Sequence, residues 1–372
     1  MPNESFVIEV NGEEATDLYE DLVSLEVELC HEMPATFQLN LALYRQPESG
    51  QWLHLDDERL RVWNQVTIRA GFVGGGHEEL VRGYVTRVTP RFTADEEQSV
   101  LEIAGMDGSM LMDREEKLKD WPNKKDSDIA REILDSYGFT AEVENTEVDH
   151  DEALSTVIQR ETDLQFLQRL AKRNGFHCYV EGTTGYFRRV PSDNQTQPVL
   201  AVHFGEATNL VNFTATVDAL RPTNIAMYQV DRFNKEVLVA EVEAGTREVL
   251  GRLDAAALLR GSVEAGQIYV AKNAATGTPE MTALCQGLFR AGSWFVEGEG
   301  EINAAAYAHV LRPRALVTIK GVGETYSGVY YVCLVRHVLT RDSYTEYFRV
   351  KRDALLPTGD EDFSSNGDFG LL

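Results

Sequence analysis

Apolar and polar residues alternate with a period of two over much of the first hundred positions. The alternation runs from Val23 to Leu29, from Phe37 to Leu41 and from Val66 to Ala70. This period is typical of strands that have one buried and one exposed face. Helical spacing is scarce in the same stretch. Residues 1–112 are therefore predicted to form a small all-β domain, either a barrel or a sandwich.

Two helical patterns then interrupt the strands. Apolar residues recur at helical spacing over 129–137, which predicts one helix. The second helix has clearer end signals, because Thr162 and Gln165 form a capping-box pattern and Gly175 supplies a stop. Together with the strands that follow Gly175, these helices predict a small α+β domain over residues 113–200.

Strand patterning returns after residue 200 and dominates residues 315–353. Between these stretches the pattern is mixed, with weak helical signals at 253–260 and 279–291. The predicted division of the second half is a second β-barrel domain over residues 201–244 and 312–356, a mixed insertion in that barrel over 245–311, and an acidic flexible C-terminal tail over 357–372.

Two segments of the chain repeat the same order of motifs. The first has Val-Thr-Ile-Arg at 66–69 and Gly-Tyr-Val at 83–85, and the second has Val-Thr-Ile-Lys at 317–320 and Gly-Val-Tyr at 328–330. Three-stranded meanders can resemble one another by chance, but shared steps in the same order favour an internal duplication. The predicted fold is mainly β, with two related β-barrel domains flanking the small α+β domain.

Composition and charge narrow the classes of function. The 60 Asp and Glu against 35 Lys and Arg give a formal charge of −25, which disfavours sequence-specific nucleic-acid binding because phosphates are repelled. No apolar run reaches the ~18–20 residues of a membrane-spanning helix, and the N-terminus lacks the pattern of a secretion signal. Four widely spaced cysteines among apolar neighbours predict buried free thiols and a reducing cytoplasm.

The residues that carry chemistry form no recognisable catalytic or metal-binding motif. His31-Glu32 is followed by Met-Pro, which breaks the helix that a zinc-protease motif requires. The segment 149–152 lacks the spacing of an EF-hand and is predicted to be a solvated acidic loop. The acidic run 297–301 suits a solvated strand or the rim of a pore. We therefore predict no catalytic residue, no cofactor, no metal ligand and no enzymatic activity.

Three stretches of the chain share features with a known family. They are Tyr137-Gly138-Phe139, the segment from Val157 through Ala171 to Gly175-Phe176 that includes the second predicted helix, and the closing block from Val317 to Arg352. Together these stretches resemble the phage late control D family. Members of that family are baseplate hub proteins of contractile tails, and the N-terminal hub part of type VI secretion spike proteins is similar. The resemblance covers about residues 5–355, and its motifs are structural.

The resemblance implies a structural role. It implies a homotrimeric ring of six quasi-equivalent barrels that joins a hexameric tail tube to a trimeric spike and lines the central channel. The implied partners are further copies of the chain, the spike protein, the tail tube or tube-initiator protein and baseplate wedge proteins. No spike repeat follows residue 355, so the spike is expected to be a separate polypeptide. The expected location is the baseplate of a virion tail or phage-tail-like particle, assembled in the bacterial cytoplasm.

Two features of the charge and the tail extend this hypothesis. The acidic excess is expected to coat the channel and keep a passing acidic polymer from sticking. Phe363, Phe369, Leu371 and Leu372 are apolar residues in the acidic tail and are candidate contacts to the spike or a neighbour, with simple disorder as the alternative. Two other functions remain open, a hub component of a type VI-like secretion apparatus and a baseplate-borne cell-wall hydrolase.

Overall fold

The chain is mainly β, as the sequence predicts. A computed structural model describes residues 4–72, 75–95, 98–153, 156–189, 196–220, 223–231, 234–242, 249–259, 266–271, 275, 277–341 and 343–364. The helices are α1 (Asp126–Ser136), α2 (Asp163–Asn174), α3 (Ala255–Leu258), α4 (Thr278–Gly292), α5 (Ala304–Tyr307) and α6 (Gly323–Tyr326). Within these residues no helix is both long and apolar enough to cross a membrane.

The strands fall into a first set before α2 and a second set after it. The first set is β1 (Glu4–Val10), β2 (Glu13–Glu14), β3 (Leu22–Cys30), β4 (Thr36–Ala42), β5 (Gln65–Phe72), β6 (His77–Arg91), β7 (Val100–Asp107), β8 (Lys119–Trp121), β9 (Thr140–Val143) and β10 (Val157–Gln159). The second set is β11 (His177–Glu181), β12 (Thr184–Arg188), β13 (Thr196–Ala201), β14 (Leu210–Val217), β15 (Thr223–Val230), β16 (Val237–Val242), β17 (Leu253–Asp254), β18 (Gly266–Tyr269), β19 (Val296–Asn303), β20 (Leu316–Lys320), β21 (Gly328–Leu339), β22 (Tyr344–Arg352) and β23 (Ala354–Leu355).

A single 13-stranded sheet joins the N-terminal and C-terminal β regions. Its main order is β14-β19-β22-β21-β3-β4-β7-β6-β5-β1-β2, and β13 is added through β20, which pairs with β21. The two regions meet where β3 pairs antiparallel with the second half of β21. Each region keeps its own hydrophobic core beneath the sheet. The link between the two regions is therefore a continuous ladder of backbone hydrogen bonds.

The sheet contains the same five-stranded unit twice. The first unit has the order β3-β4-β7-β6-β5 and the second has the order β14-β19-β22-β21-β20, with matching connections along the chain. Bulges fall at the same places in both units: between Val85 and Arg87 as between Val332 and Leu334, and between Leu22 and Ser24 as between Leu210 and Asn212. Bulges alter strand register and are specific features, so their coincidence is what an internal duplication produces.

The register identifies which residues of the two units are equivalent. Trp63 and Arg314 both have a positive φ, and their amides donate to the carbonyls of Val85 and Val332 respectively, each at 2.8 Å. Val85 is therefore equivalent to Val332, and Gly83 is equivalent to Tyr330. The motif alignment from the sequence placed Gly83 opposite Gly328, which is two residues away from the true equivalent, Tyr330. The error arose because the alignment matched glycine to glycine, and bulges leave no signal in the sequence.

The domain boundaries in the structure differ from the predicted ones. The insertion of the second unit lies between β14 and β19 and contains the separate sheet β16-β15-β18, whose core is shared with α4. Strand β19, assigned to the insertion at 245–311, pairs with β14 and β22 in the main sheet. Strand β13 begins before residue 200 and pairs with β20. The alternation of Glu with Gly in β19 hid its buried face, because glycine carries no apolar signal.

The α+β unit has its own core, built around α1 and α2. The hydroxyl of Thr162 accepts a hydrogen bond from the Gln165 amide, and Gly175 closes α2 in the left-handed conformation. Both end signals predicted for this helix are confirmed. Helix α4 also lies close to the predicted weak signal at 279–291, whereas the signal at 253–260 corresponds only to the four residues of α3.

A buried carboxylate connects α1 to α2. Asp126 accepts hydrogen bonds from the guanidinium of Arg173, from Asn174 at 2.6 Å and from the His150 ring at 3.1 Å. Burial opposes the charge of Asp126, but the hydrogen bonds from His150 and Arg173 outweigh it and lower its pKa to about 2. The predicted solvated loop at 149–152 is accordingly only partly exposed: its acids lie at the surface while His150 is buried.

The Asp126 network predicts a specific acid sensitivity. A carboxyl whose pKa falls from 3.8 unfolded to about 2 folded stabilises the fold above pH 3.8 and loses this contribution as the pH falls toward 2. We expect the wild type to lose about 2 kcal/mol more unfolding free energy than Asp126→Asn between roughly pH 5 and pH 2. Urea unfolding at a series of pH values measures this difference, and parallel pH profiles for the two proteins would contradict it.

Candidate assembly interface

Eight neighbouring strands form a wall with one buried and one exposed face. They run β14-β19-β22-β21-β3-β4-β7-β6. In β19, Glu297 and Glu299 are exposed while Gly298 and Gly300 are buried, and the same alternation runs along β3 and β22. The buried glycines make room for the rings of Phe213 and Phe348, which a Cβ at either glycine would overlap. The exposed face, here called the polar wall, continues across both repeated units.

The polar wall carries nearly balanced charge. Glu299 lies 3.8 Å from Arg349, and Glu102 lies 3.5 Å from Arg87 and 2.7 Å from Arg91. The chain's excess of negative charge therefore lies outside this face. On the strands of the wall the carboxylates are Glu26, Glu28, Glu102, Glu297, Glu299 and Glu301, with Asp218 directly after β14, and the cations are Arg87, Arg91, Arg336, Arg349 and Lys351.

The contact between the two units is made by β21 and β3. Val335 pairs with Leu29 and Leu339 with Leu25, on the core side of the sheet. Arg336 pairs with Glu28 on the polar wall. Apolar pairs on one face and oppositely charged cross-strand neighbours on the other thus accompany the backbone ladder. This contact is called the internal junction below.

Each unit also presents one strand edge that lacks a strand partner in the described part of the chain. Strand β14 is the last strand of the main sheet. Strand β6 pairs with β5 only up to Tyr84, while its other edge continues along β7 to Arg91. Strand β6 is the equivalent of β21, and β14 is the equivalent of β3. The open edges are therefore the two strands that would form a second copy of the internal junction.

The residues along these open edges are complementary in the register of the internal junction. The equivalence places Val88 opposite Val217 and Phe92 opposite Phe213 on the core side. It places Arg87 opposite Asp218 on the polar wall. Val88 and both β14 residues lie at the margins of the two cores, and Phe92 is 53% exposed. Apolar residues face apolar residues and a cation faces an anion, although the charged pair lies two positions from the place that Arg336 and Glu28 hold in the internal junction.

Pro90 lies on the open edge of β6, between Val88 and Phe92. Proline has no amide proton, so within a sheet it occurs where its nitrogen points away from the strand partner. Its position implies that Thr89 directs its own amide toward β7 and that Pro90 faces the open edge. In a second junction Pro90 would still accept a hydrogen bond through its carbonyl. Because Pro90 has no amide proton, this edge lacks one hydrogen-bond donor, and this weakens its non-specific pairing with other strands.

Of the four tail residues predicted as contacts, only Phe363 lies among the described residues. It is partly buried, and its carbonyl accepts a hydrogen bond from Lys320 Nζ at 2.9 Å. Phe369, Leu371 and Leu372 lie outside the described residues. The structure therefore leaves their role as contacts a prediction.

The comparison with protein families gives one match over most of the chain. The matching family is described as the Alg8 N-terminal domain, and the match covers residues 3–341. The chain belongs to this family. The matching family is not the late control D family named from the sequence, so that resemblance holds only in a coarser form, as similarity to phage tail proteins. No curated protein matches the chain at a significant level.

Solved structures with the same fold are phage tail and secretion proteins. The 43 kDa tail protein of prophage MuSo2 from Shewanella oneidensis has a TM-score of 0.69 at 14% identity, covering 95% of this chain and 99% of that chain. The tail protein from Neisseria meningitidis MC58 has a TM-score of 0.65 at 13% identity, covering 95% and 98%. An Escherichia coli component of the type VI secretion system has a TM-score of 0.54 at 11% identity, covering 97% and 79%.

Sequence reasoning missed the open edges because strand pairing between distant segments leaves no local signal. The available signals were Pro90 within an apolar alternation and the exposed aromatic Phe92. Both mark an edge strand when taken together. The equivalence of β14 with β3 was hidden by the long insertion that follows β14.

Proposed function

We propose that this chain is the baseplate hub of a contractile injection machine, either a phage tail or a phage-tail-like particle. Three copies close head to tail, with β6 of each copy pairing with β14 of the next. The observation that carries the proposal is the complementarity of these two edges in the register of the internal junction. Heterologous contacts of this kind form a closed ring when the rotation per copy allows it.

The duplication suits such an adaptor. Each chain supplies two equivalent units, so three chains supply six units, one for each subunit of a hexameric tail tube. A spike protein at the other end of the ring meets three whole chains and hence three-fold symmetry. The further proposed partners are a tube-initiator protein and baseplate wedge proteins. The similarity of fold to tail proteins supports this assignment.

In the ring, the polar wall is the proposed lining of the channel. Its carboxylates are matched by arginine and lysine, so the lining is close to neutral. This revises the expectation of an acidic channel: a polymer of either sign would meet alternating charges without strong net attraction or repulsion. We propose a role in assembly and conduction, not in catalytic turnover.

Ring formation is tested by changing Phe92 on the open edge. Phe92→Glu places a carboxylate against the apolar Phe213 position of the next copy, while in the monomer the ring of Phe92 is half exposed and contacts only Trp52 among the described aromatic rings. We expect the wild type to scatter light as three times the 41.7 kDa chain mass and the variant to scatter as the monomer.

The matched control is Leu118→Glu, which introduces the same charge at a residue of the α+β unit that is 84% exposed. It should assemble like the wild type. A wild type that stays monomeric over the whole concentration series, with or without its spike protein, would argue against the ring. Loss of assembly in both variants would show that any added surface charge suffices.

A further inference from the structure

Two histidines and a glutamate converge where the first β unit, the α+β unit and the second β unit meet. His31 and Glu32 lie in the turn after β3, and His177 begins β11. One ligand atom from each of these three side chains lies within 4.8 Å of the other two. His31 Nε2 is 3.9 Å from Glu32 Oε1, and the two imidazole rings have centroids 5.0 Å apart.

The hydrogen bond of His177 determines which of its nitrogens is available. His177 Nδ1 lies 3.1 Å from the backbone carbonyl of His31, and a carbonyl only accepts, so Nδ1 must carry the proton. Nε2 of neutral His177 is then the nitrogen with the free lone pair. A backbone carbonyl that holds the second nitrogen of a histidine is the usual way in which metal-binding histidines are oriented.

One ring nitrogen of His31 has no hydrogen-bond partner among the described residues. The residue is 7% exposed, and its Nδ1 has no hydrogen-bond partner in the described part of the chain. Its ring packs edge-on against Tyr331, at 5.6 Å between centroids, and its backbone amide donates to Cys333 at 2.9 Å. The ring is thus held in place by packing and main-chain contacts while its Nδ1 remains without a hydrogen-bond partner among the described residues, an uncommon state for a buried imidazole.

We propose that His31, Glu32 and His177 bind a divalent transition-metal ion, zinc being the natural occupant. Zinc accepts nitrogen and carboxylate ligands in tetrahedral geometry, and a metal–nitrogen bond of about 2.0–2.1 Å places two imidazole centroids roughly 5 Å apart. The two rings already have this separation. Glu32 is 65% exposed, so its side chain is free to close the remaining distance, and water fills the fourth position.

A second cluster of potential metal ligands differs because the protein itself supplies its counter-charge. Asp17, His54 and Asp57 also converge, but Arg59 pairs with both carboxylates, each at 2.6 Å. The Arg59 guanidinium therefore already compensates the negative charge of this second cluster. No such cation bridges the three proposed ligands among the described residues. Lys351 and Arg314 act on His31 only from a distance, and Arg314 is itself paired with Glu181 at 2.6 Å.

The bound ion would cross-link two units of the chain. It joins the turn after β3 to the first residue of β11, and so fixes the α+β unit against the first β unit. This consequence does not depend on the proposed function, since the site lies within one chain and includes no residue of either open edge. Failure of ring formation would therefore leave the metal site intact.

The test is zinc binding by the full chain after dialysis against a chelator. Titration calorimetry should show one Zn²⁺ per chain, and Co²⁺ should give the visible absorption of tetrahedral coordination. Glu32→Gln, a change at the surface, and His177→Gln should each weaken zinc binding about tenfold or more. His309→Gln changes an exposed histidine elsewhere and should bind zinc like the wild type. Absence of zinc binding, or equal affinity in Glu32→Gln, His177→Gln and the wild type, would overturn the proposal.

Discussion

Arg352→Met is expected to reduce the free energy of unfolding by about 3–5 kcal/mol, because three hydrogen bonds from a charged donor are lost. Arg352 ends β22 and is fully buried. Its guanidinium donates to the carbonyls of Leu250 at 2.8 Å, Ser327 at 3.1 Å and Leu356 at 2.9 Å, and it lies over the ring of Tyr330. Methionine preserves much of the volume but leaves these three partly buried carbonyls without their donor.

The matched control for this substitution lies on the same strand. Arg349→Met removes an exposed arginine whose partner Glu299 is 3.8 Å away and equally exposed, so the expected change is within about 0.5 kcal/mol. Urea unfolding of the three proteins measures both effects. Equal destabilisation by the two substitutions would show that the buried donor of Arg352 contributes nothing beyond its side-chain packing.

Arg352 also explains a glycine that the sequence analysis misinterpreted. Gly328 has a φ of +139°, and a Cβ there would lie 2.5 Å from the Arg352 guanidinium. This glycine makes room for the buried cation in the second unit. Gly83 instead allows β7 to approach, because its Cβ would lie 1.9 Å from the Met106 carbonyl. Gly328 and Gly83 lie in similar motifs but have different structural roles, and the motifs alone could not distinguish these roles.

Local signals in the sequence were enough to predict the helices with strong caps. Thr162 and Gly175 act within a few residues of the chain, so α2 could be predicted with both of its ends. Strand β19 could not be assigned to its sheet, because its buried positions are glycines whose partners Phe213 and Phe348 are distant in sequence. The internal junction and the open edges depend on such distant pairings, and they became visible only with the register.

The charge of the chain illustrates the same limit. The sequence has 60 acidic residues, and this acidic excess led to the expectation of an acidic channel. The structure places Glu299 beside Arg349, one strand away and fifty positions later in the chain. Composition gives the total charge, whereas strand pairing decides which charges share a face. The sign of the polar wall could not be predicted without the fold.

Strand pairing between copies is the central claim, and a register-specific disulfide tests it most directly. In the register of the internal junction Thr89 faces Thr216 of the next copy, as Arg336 faces Glu28 within the chain. The Asp218 amide points toward Phe295 beside β19, so by alternation the Thr216 amide does too. Thr89 and Thr216 would then form a non-hydrogen-bonded pair, with Cα atoms about 4.5 Å apart, within the range that a disulfide spans.

The measurement is non-reducing electrophoresis of Thr89→Cys/Thr216→Cys after mild oxidation. The control is Thr89→Cys/Thr214→Cys, whose diagonal spacing of about 7–8 Å is too long for a disulfide. Three of the native cysteines are buried and Cys30 is partly buried, so they give little background. The account predicts a covalent ladder that ends at the trimer for the first protein and a monomer band for the control. Equal cross-linking of the two proteins, or a ladder that ends at the dimer or extends beyond the trimer, would contradict it.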